Sequence, residues 1–285
     1  MSQPVRLLLT EATGVLRQAG VPSPAQDARI LLSFVSGVEL ARLPLLDDLD
    51  DDHVRRFRTL IGKRAERVPV QHLTGRAHFR TIDVEVGPGV FVPRPETEVM
   101  TGWAIDHLRS LAAGQHRPSV VELCTGSGVI AKAIASEVTR IDIHAVEVSE
   151  EAAAYARRNL ADTLVDLHVG DMATALVDLN GTVDVVIANP PYIPLDAYES
   201  VAAEARDHDP TLALFSGADG LEAIRTVVSV ATRLLRPTGL LYCEHADVQG
   251  TSAPAVVVAS GAFTAVRDHR DLAGRPRFFS AVRRS

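Results

Sequence analysis

The chain has 285 residues, 46% of them hydrophobic and 23% charged, which is the balance of a globular protein large enough for one main domain and a smaller one. Its net charge of −7 argues against a surface that coats nucleic acid, because binding to phosphates requires a basic face. Two cysteines, Cys124 and Cys243, are too few for a secreted disulfide framework, so we expect a cytoplasmic protein. The first residues lack signal-peptide features, and no apolar run approaches the ~18 residues of a membrane span.

The first 75 residues carry apolar side chains at helical spacing. One stripe consists of Val5, Leu8, Leu9, Ala12 and Leu16. An acidic run over 47–52 precedes a later stripe, and acidic residues at a helix start favour the helix dipole. We therefore interpret that run as a solvated cap and not as a metal site. The whole pattern predicts a bundle of three or four helices.

The period then changes to one that favours strands, with apolar residues at Phe79, Ile82, Val84 and Val86. A Gly-Pro-Gly run at 87–89 favours a turn. We predict a β-hairpin linker over 77–92. It would separate an N-terminal helical domain, 1–76, from a C-terminal domain, 93–285.

Strand and helix patterns alternate in the C-terminal domain. The predicted strands are 119–123, 141–147, 165–169, 183–188, 238–243, 263–267 and 277–283. The predicted helices between them are 96–113, 128–137, 149–160, 219–235 and about 252–259. This alternation predicts an α/β fold with a mostly parallel sheet covered by helices on both faces. Ligands of such sheets bind at the carboxyl ends of the strands, where the strand order reverses.

A glycine-containing turn, 124–128, follows the first of these strands and precedes a helix. Glycines let the backbone approach a ligand closely, although a tight turn without a ligand remains an alternative for this stretch alone. The turn lacks the third glycine of the dinucleotide fingerprint and the lysine of a P-loop, so pyrophosphate is not the favoured ligand.

The next two strands end in acidic residues. Glu147 lies nineteen residues after Gly128, close to the ~20 at which an acid reaches a ribose. After the third strand, Asp171 can bond an adenine amino group and Met172 can pack on the ring. Solvated carboxylates are the alternative for both acids. Together with the glycine turn, these residues predict an adenosine-bearing ligand.

The fourth strand runs directly into Asn189-Pro190-Pro191-Tyr192. The prolines prevent further helix or strand pairing, and the residue before a proline is held extended, so Asn189 is presented rigidly. Its side-chain oxygen and the carbonyl of Pro190 can accept both hydrogens of an NH₂ group, while Tyr192 offers a flat face. The motif predicts a site that grips a planar amide or amine; a proline turn with a core tyrosine is the alternative.

An amide nitrogen gripped in this way has a more localised lone pair, which can attack an electrophile such as a sulfonium methyl group. Holding the two in line contributes up to ~7–11 kcal/mol in favourable cases. The chemistry requires neither a cysteine nucleophile nor a metal. The ten histidines show no HExxH or other metal-ligand spacing, so the sequence predicts no metal site.

Besides the glycine turn and the asparagine tetrapeptide, further sequence motifs are spread over nearly the whole chain. They lie at 23–24, 27–29, 69–75, 91–98, 217–221, 244–245, 249 and 271–275. With the glycine turn and Asn189-Pro190-Pro191-Tyr192, they resemble the peptide chain release factor N5-glutamine methyltransferase family. The tetrapeptide is also found in DNA adenine and other amine methyltransferases. The Phe-Val-Pro-Arg-Pro-Glu-Thr-Glu stretch at 91–98, combined with the helical domain, indicates a much narrower group of proteins than the tetrapeptide does.

The resemblance implies a Rossmann-like, seven-stranded methyltransferase sheet with an antiparallel last strand, preceded by the small helical bundle, which would recognise the substrate, and the hairpin linker. It implies S-adenosyl-L-methionine as methyl donor and S-adenosyl-L-homocysteine as product. The substrate would be the glutamine of the Gly-Gly-Gln motif in bacterial class I release factors, and methylation would support translation termination. No stable nucleic-acid partner and no membrane partner is expected.

The resemblance also assigns residues to two sites. The cofactor site would consist of Glu122, Cys124, Thr125, Gly126, Ser127, Gly128, Glu147, Asp171, Met172 and Asn189. The substrate site would consist of Asn189, Pro190, Pro191 and Tyr192, with Arg94 and Glu98 organising its entrance. Asn189, Pro190 and Tyr192 would be catalytic. Glu122 and Glu147 replace the aspartates commoner in the family, which lengthens their reach, and Met172 stands where some members have tryptophan.

Three other functions compete with this interpretation. A DNA or RNA adenine N6-methyltransferase fits the tetrapeptide equally well, but the net acidity and the lack of a basic recognition domain disfavour it. A second possibility is a methyltransferase that acts on another protein substrate, for example on a glutamine of a ribosomal protein. A binding protein that kept the fold without catalysis is the third, and the complete set of glycine turn, Glu147 and Asn189 disfavours it.

Overall fold

A computed structural model describes residues 3–114 and 116–285. The chain divides into two compact units. The helical unit contains the residues up to 76 together with 202–208, and the sheet unit contains 77–201 and 209–285. Among the described residues, no helix combines the length and the apolar character that crossing a membrane requires.

The helical unit begins with α1 (Val5–Gln18), α2 (Pro24–Ser36), α3 (Asp51–Ala65) and α4 (Val70–Thr74). Two-residue strands, β1 (Gln3–Pro4) and β2 (Asp48–Leu49), pair in antiparallel orientation. The predicted apolar stripe faces inward, since Leu8, Ala12 and Leu16 are all buried in the core of the unit. Asp50 caps α3 by accepting hydrogen bonds from the backbone of Asp52 and His53, which is the helix start expected of the acidic run.

The sheet unit begins with a hairpin of β3 (Arg76–Phe79) and β4 (Ile82–Glu85). Its turn is formed by Arg80 and Thr81, and the Gly-Pro-Gly run at 87–89 forms a separate turn after β4, in which the backbone of Val90 donates to the carbonyl of Gly87 at 3.3 Å, as predicted. Arg80 adopts a φ of 54°, which non-glycine residues rarely adopt and which its residue type does not signal. Hydrogen bonds of 2.7 and 3.0 Å from its guanidinium to Glu137 hold it in place.

Among the described residues, the seven strands that follow β4 in the chain form the main sheet. They are β5 (Ser119–Leu123), β6 (Asp142–Glu147), β7 (Asp166–Val169), β8 (Val183–Ala188), β9 (Leu235–Glu244), β10 (Phe263–Arg270) and β11 (Pro276–Arg283). The spatial order is β10-β11-β9-β8-β5-β6-β7. Only β11 runs antiparallel to its neighbours in this sheet. The strand order reverses between β5 and β8, which is where such sheets bind ligands.

The predicted strand bounds agree closely with the structure, except that β9 begins at Leu235 and not at 238, and β10 ends at Arg270 and not at 267. Leu235 pairs with Val183, and an irregularity in the register accommodates the residues up to Leu240, including Thr238 with a φ of 68°. Such a bulge is invisible in the apolar pattern because Pro237 and Gly239 indicate a turn.

Helices cover both faces of the sheet: α5 (Thr97–Ala112), α6 (Val129–Glu137), α7 (Glu150–Leu160), α10 (Glu222–Leu234) and α11 (Ser252–Ala259). The short helices α8 (Ala203–His208) and α9 (Thr211–Leu214) lie between β8 and α10 in the chain. Alternate strand residues enter two separate cores. Val120 packs in the core that contains residues of α5, α6 and α7, and Val121 packs in the core that contains residues of α10 and α11.

The helix α8 belongs to the helical unit, although it follows β8 in the chain. Its Glu204 forms ion pairs of 3.0 Å with Arg64 and 2.6 Å with Arg67, and Arg64 also pairs with Asp27 at 2.7 Å. Burial alone would raise the pKa of Glu204, but the hydrogen bonds from the two arginines outweigh it and lower the pKa to about 2. A fully paired carboxylate thus holds α8 against the helices of this unit.

Candidate active site

The carboxyl ends of four neighbouring strands meet at one edge of the sheet. The residues in register there are Leu123, Val146, Ala188 and Cys243. The residues that follow them are Cys124, Glu147, Asn189 and Glu244. The sheet therefore brings together the glycine turn, the predicted ribose-binding acid and the asparagine motif, with Glu244 as a fourth member.

The turn after β5 has a strained backbone. Cys124, Gly126 and Gly128 have φ values of 58°, 57° and 79°, and such a conformation is costly for a residue with a side chain such as Cys124. A Cβ added at Gly126 would meet no atom within 4 Å, whereas one at Gly128 would lie 3.1 Å from the side chain of Leu160. Gly128 thus serves packing, and Gly126 borders open space in which a ligand can approach the backbone.

Two buried carboxylates support this turn. Glu122 accepts a hydrogen bond of 2.8 Å from the backbone of Ala131, and burial raises its pKa to about 8. Glu147 accepts from the backbone of Gly126 at 2.8 Å and of Ser149 at 2.9 Å. Because each carboxylate oxygen can accept more than one hydrogen bond, Glu147 keeps capacity for hydroxyl groups. An open cradle beside this carboxylate fits the ribose of an adenosine-bearing cofactor.

Met172 and Asp171 take different positions. The sulfur of Met172 lies 3.8 Å from the sulfur of Cys124, so Met172 borders the glycine turn, and its place beside the adenine stays a prediction. Asp171 is exposed, and its carboxylate accepts from the backbone of Ala173 at 2.9 Å. The structure therefore brings Met172 to the cradle, while Asp171 caps its own loop.

Asn189 is held by a hydrogen-bond chain to a buried carboxylate. Its Nδ2 donates to Oγ1 of Thr97 at 3.2 Å, and Oγ1 of Thr97 donates to Oε2 of Glu244 at 2.7 Å. A hydroxyl has one proton, and an ionised carboxylate only accepts, so Thr97 must donate to Glu244 and accept from Asn189. The amide is thereby oriented, and Oδ1 is the atom of Asn189 that can accept a hydrogen bond from a substrate.

The same carboxylate holds Tyr192, whose hydroxyl donates to Oε1 of Glu244 at 3.2 Å. Glu244 is 1% exposed, and burial raises its pKa to about 7 against the opposing effects of Thr97, Tyr192 and the charge of Arg277. Burial and the charge of Glu244 raise the pKa of Tyr192, so this phenol stays a donor. Its backbone carbonyl accepts from Nε2 of Gln249 at 3.0 Å, which fixes the loop after the prolines.

Arg94 and Glu98 do not take equivalent places. Arg94 forms a 2.6 Å ion pair with the buried Asp209, and its guanidinium lies 5.0 Å from the ring centre of Phe91. Glu98 follows Thr97 in α5, so its side chain points about 100° away around the helix. Its backbone carbonyl accepts from Arg80 at 3.2 Å. The roles of Arg94 and Glu98 at the site entrance stay predictions.

Thr97, Glu244 and Asp209 had no assigned role in the sequence analysis. Each forms a hydrogen bond or an ion pair with a predicted site residue, but the two partners are far apart in the chain. The available signals were weak: Thr97 stands inside the 91–98 stretch, and Glu244 follows an apolar strand. Charged or polar residues at such positions are usually solvated, so neither signal indicates a contact.

A doubly wound sheet with an open glycine cradle beside a buried acid at a strand end, and with Asn-Pro-Pro-Tyr at the switch point, defines an S-adenosylmethionine-dependent methyltransferase. In agreement, residues 72–205 match the family described as methyltransferase small domain. The structure also shares its fold with the catalytic domain of hMettl16 solved in complex with MAT2A 3′UTR hairpin 6, with a TM-score of 0.52, 15% identity and 82% of each chain covered.

The particular family follows from closer relatives. Residues 8–75 match the family described as PrmC N-terminal domain. The chain is 51% identical over 280 residues to the release factor glutamine methyltransferase of Streptomyces coelicolor, which covers 97% of this chain and 98% of that one. It is 40% identical over 254 residues to the 4-amino-L-phenylalanine/4-methylamino-L-phenylalanine methyltransferase of Streptomyces pristinaespiralis, covering 89% and 87%. The chain belongs to the release factor glutamine methyltransferase family. The predicted family, fold class and cofactor are confirmed.

Proposed function

We propose that this enzyme methylates the side-chain amide nitrogen of the glutamine in the Gly-Gly-Gln motif of class I release factors, in the cytoplasm, and so supports translation termination. Similarity over the whole length to a release factor glutamine methyltransferase supports this substrate. The observation that carries the proposal is the fixed orientation of Asn189, whose amide nitrogen is bound to Thr97. That orientation suits an acceptor for one hydrogen of a planar NH₂ group.

The chain's own residues account for the activation of the substrate nitrogen. Oδ1 of Asn189 and the carbonyl of Pro190 accept the two amide hydrogens, which localises the nitrogen lone pair. Tyr192 contributes its flat ring, held through its hydroxyl by Glu244. S-adenosylmethionine, when bound, supplies the electrophilic methyl group. Glu147 and the turn around Gly126 hold the cofactor's ribose, and positioning both reactants lowers the barrier.

The same assignment gives the helical domain, residues 1–76, the task of recognising the protein substrate. Its match to the PrmC N-terminal domain family supports this role. All proposed cofactor-binding residues lie in the sheet unit. We therefore infer that the helical domain affects the affinity for the release factor and leaves the affinity for the cofactor unchanged, with the segment 77–92 as the linker between the domains.

A second candidate substrate is a free aromatic amine. The name of the S. pristinaespiralis relative refers to an amino group on a phenyl ring, and such a group is also a planar NH₂. Asn189 and Pro190 would accept its two hydrogens in the same way. Lower identity and coverage than the S. coelicolor relative make it the less favoured substrate.

Transfer of labelled methyl groups from S-adenosylmethionine tests both candidates. The substrates are a class I release factor, the same factor with its motif glutamine replaced by glutamate, 4-amino-phenylalanine, a ribosomal protein and DNA. We expect label only in the unmodified release factor, because glutamate has no nitrogen to methylate. Faster transfer to the free amine, or to DNA, would contradict the proposal while leaving the enzyme class intact.

A further inference from the structure

Three side chains that commonly bind metals lie together on β6 and β7, outside the candidate active site. His144 of β6 is paired in register with Asp166 of β7, and His168 lies two residues further along β7. Since side chains two residues apart on a strand share a face, all three project from the same side of the sheet. Their ligand atoms lie within 4.8 Å of one another.

The two distances from the histidine nitrogens to the carboxylate of Asp166 match a coordination shell. Nδ1 of His144 lies 3.4 Å from Oδ2 of Asp166, and Nε2 of His168 lies 3.0 Å from the same oxygen. Metal–ligand bonds of about 2.1 Å place two ligands about 3.4 Å apart in a tetrahedron and about 3.0 Å apart in an octahedron. Two of the three separations between the donors therefore already match a coordination shell, and the third, between the two histidine nitrogens, is at most 4.8 Å.

One of the donor atoms lacks a hydrogen-bond partner. Nδ1 of His144 is shielded from solvent and makes no hydrogen bond with any residue that the structure describes, although it lies at ion-pair distance from Asp166. A shielded ring nitrogen without a partner costs free energy, and a cation satisfies its lone pair. The His144 side chain is 21% exposed, whereas those of Asp166 and His168 are 61% and 38% exposed. An ion can therefore enter from the open side and keep water ligands.

We propose that His144, Asp166 and His168 form a binding site for a divalent transition-metal ion of the zinc, cobalt or nickel type. Two imidazoles and one carboxylate suit these ions, whereas Ca²⁺ and Mg²⁺ prefer shells of oxygen atoms. His144 precedes Asp166 by 22 residues and belongs to another strand, which is why motif spacing alone did not indicate the site.

The bound ion would join the edge strand β7 to β6. Among the strands that the structure describes, β7 is paired on one side only, so it is the strand of this sheet edge that is free to separate. An ion that binds only the folded chain raises the unfolding temperature by mass action. Its effect is stabilisation of the sheet and not methyl transfer, so the proposal stands independently of the substrate.

Titration of the full-length chain, purified without a histidine tag, tests the site with zinc chloride and cobalt chloride as probes. We expect binding of about one equivalent of each ion per chain, a cobalt absorption band in the visible range and a higher unfolding temperature with zinc. The substitutions Asp166→Asn and His168→Gln each remove one ligand and should weaken zinc binding by at least ~10-fold. Both side chains are partly exposed, so the metal-free unfolding temperature should stay that of the parent.

His53→Gln is the matched control. His53 lies 2.9 Å from a carboxylate oxygen of Asp50, and it belongs to no group of three such ligands among the described residues. This variant should bind zinc with the parent affinity. The absence of saturable zinc and cobalt binding in the parent would overturn the proposal. Undiminished zinc affinity in both Asp166→Asn and His168→Gln, or an equal loss in His53→Gln, would overturn it as well.

Discussion

Two glutamates, one in each unit of the molecule, show opposite ways to bury a carboxylate. Glu204 of the helical unit is paired with two arginines, which lower its pKa to about 2. Glu244 of the sheet unit is more deeply buried, and its partners are two hydroxyl groups. Burial raises the pKa of Glu244 to about 7, because the two hydrogen bonds offset only part of that effect. The first arrangement stabilises a structure, whereas the second keeps a proton equilibrium near neutral pH, which is typical of functional sites.

Breaking the paired carboxylate should give the largest effect on stability. Glu204→Gln removes the charge that faces Arg64 and Arg67, so we expect the helical unit to lose roughly 3 kcal/mol, the lower end of the range for breaking a buried pair. Because the folded pKa lies below the ordinary value, this contribution exists above pH ~4.5 and is lost as the pH falls towards 2.

Thermal and urea unfolding at neutral pH measure the loss, and calorimetry of cofactor binding is the control. Cofactor affinity should stay unchanged, because the proposed cofactor-binding residues all lie in the sheet unit. A variant as stable as the parent would show that the ion pairs at Glu204 contribute nothing to the fold.

On the other side of the comparison, Asn189 should matter for rate and not for stability. Asn189→Ala removes a preorganised acceptor that acts mainly in the transition state, so kcat/KM should fall by on the order of 10²–10³. Asn189→Asp keeps an acceptor oxygen but loses the NH₂ that binds Thr97, and it should keep cofactor binding while losing much of the rate.

Single-turnover methylation of a release factor at saturating cofactor is the appropriate measurement. If Asn189→Ala stayed within about threefold of the parent, the lost stabilisation would be under ~1 kcal/mol. That is too little for a group that aligns the nucleophile, and the proposed mechanism would have to be abandoned even though the family assignment stands.

The pH dependence of Glu244 sharpens the comparison further. Ionised Glu244 only accepts, which forces Thr97 to accept from Asn189; protonated Glu244 can donate, and the orientation of the amide is no longer fixed. Since the pKa of Glu244 is raised to about 7, kcat/KM should decline as the pH falls through about 7 and level off above it.

Glu244→Gln replaces the accepting oxygen next to Thr97 with an amide that can also donate. We expect a loss of roughly 1.5–3 kcal/mol in transition-state stabilisation, the scale of a hydrogen bond to a charged group, and no acid limb near pH 7. Thr97→Val should lower the rate in the same direction. An acid limb that persists unchanged in Glu244→Gln would assign it to another group.

The smallest effect concerns cofactor affinity. Glu147→Ala should weaken S-adenosylmethionine binding by roughly 1–3 kcal/mol, because a carboxylate that accepts ribose hydroxyls is lost. Calorimetry measures it directly, and unchanged affinity would remove Glu147 from the ribose role. Part of any loss reflects the glycine turn, because Glu147 also binds the backbone of Gly126; circular dichroism of the apoprotein separates the two contributions.

The sequence predicted those features that depend on local patterns. Apolar runs located every strand of the main sheet, and two prolines after a buried strand located Asn189 at its end. The contacts that orient these residues were not predictable, because Thr97 and Glu244 are separated by 147 residues and Arg94 and Asp209 by 115. A single chain carries no signal for such pairs. The hairpin turn at Arg80 was missed because tertiary hydrogen bonds, and not residue type, stabilise its backbone.

The placement of α8 has a consequence for how this protein can evolve and be engineered. The chain leaves the sheet unit after Val201, contributes α8 to the helical unit and returns at Asp209. If recombination exchanged only residues 1–76 for a homologous module, the chain would keep its own Glu204. The new module would then have to supply the arginines that pair with it. Exchange of the helical unit must therefore transfer two separate stretches of the gene together, the one for the residues up to 76 and the one for 202–208.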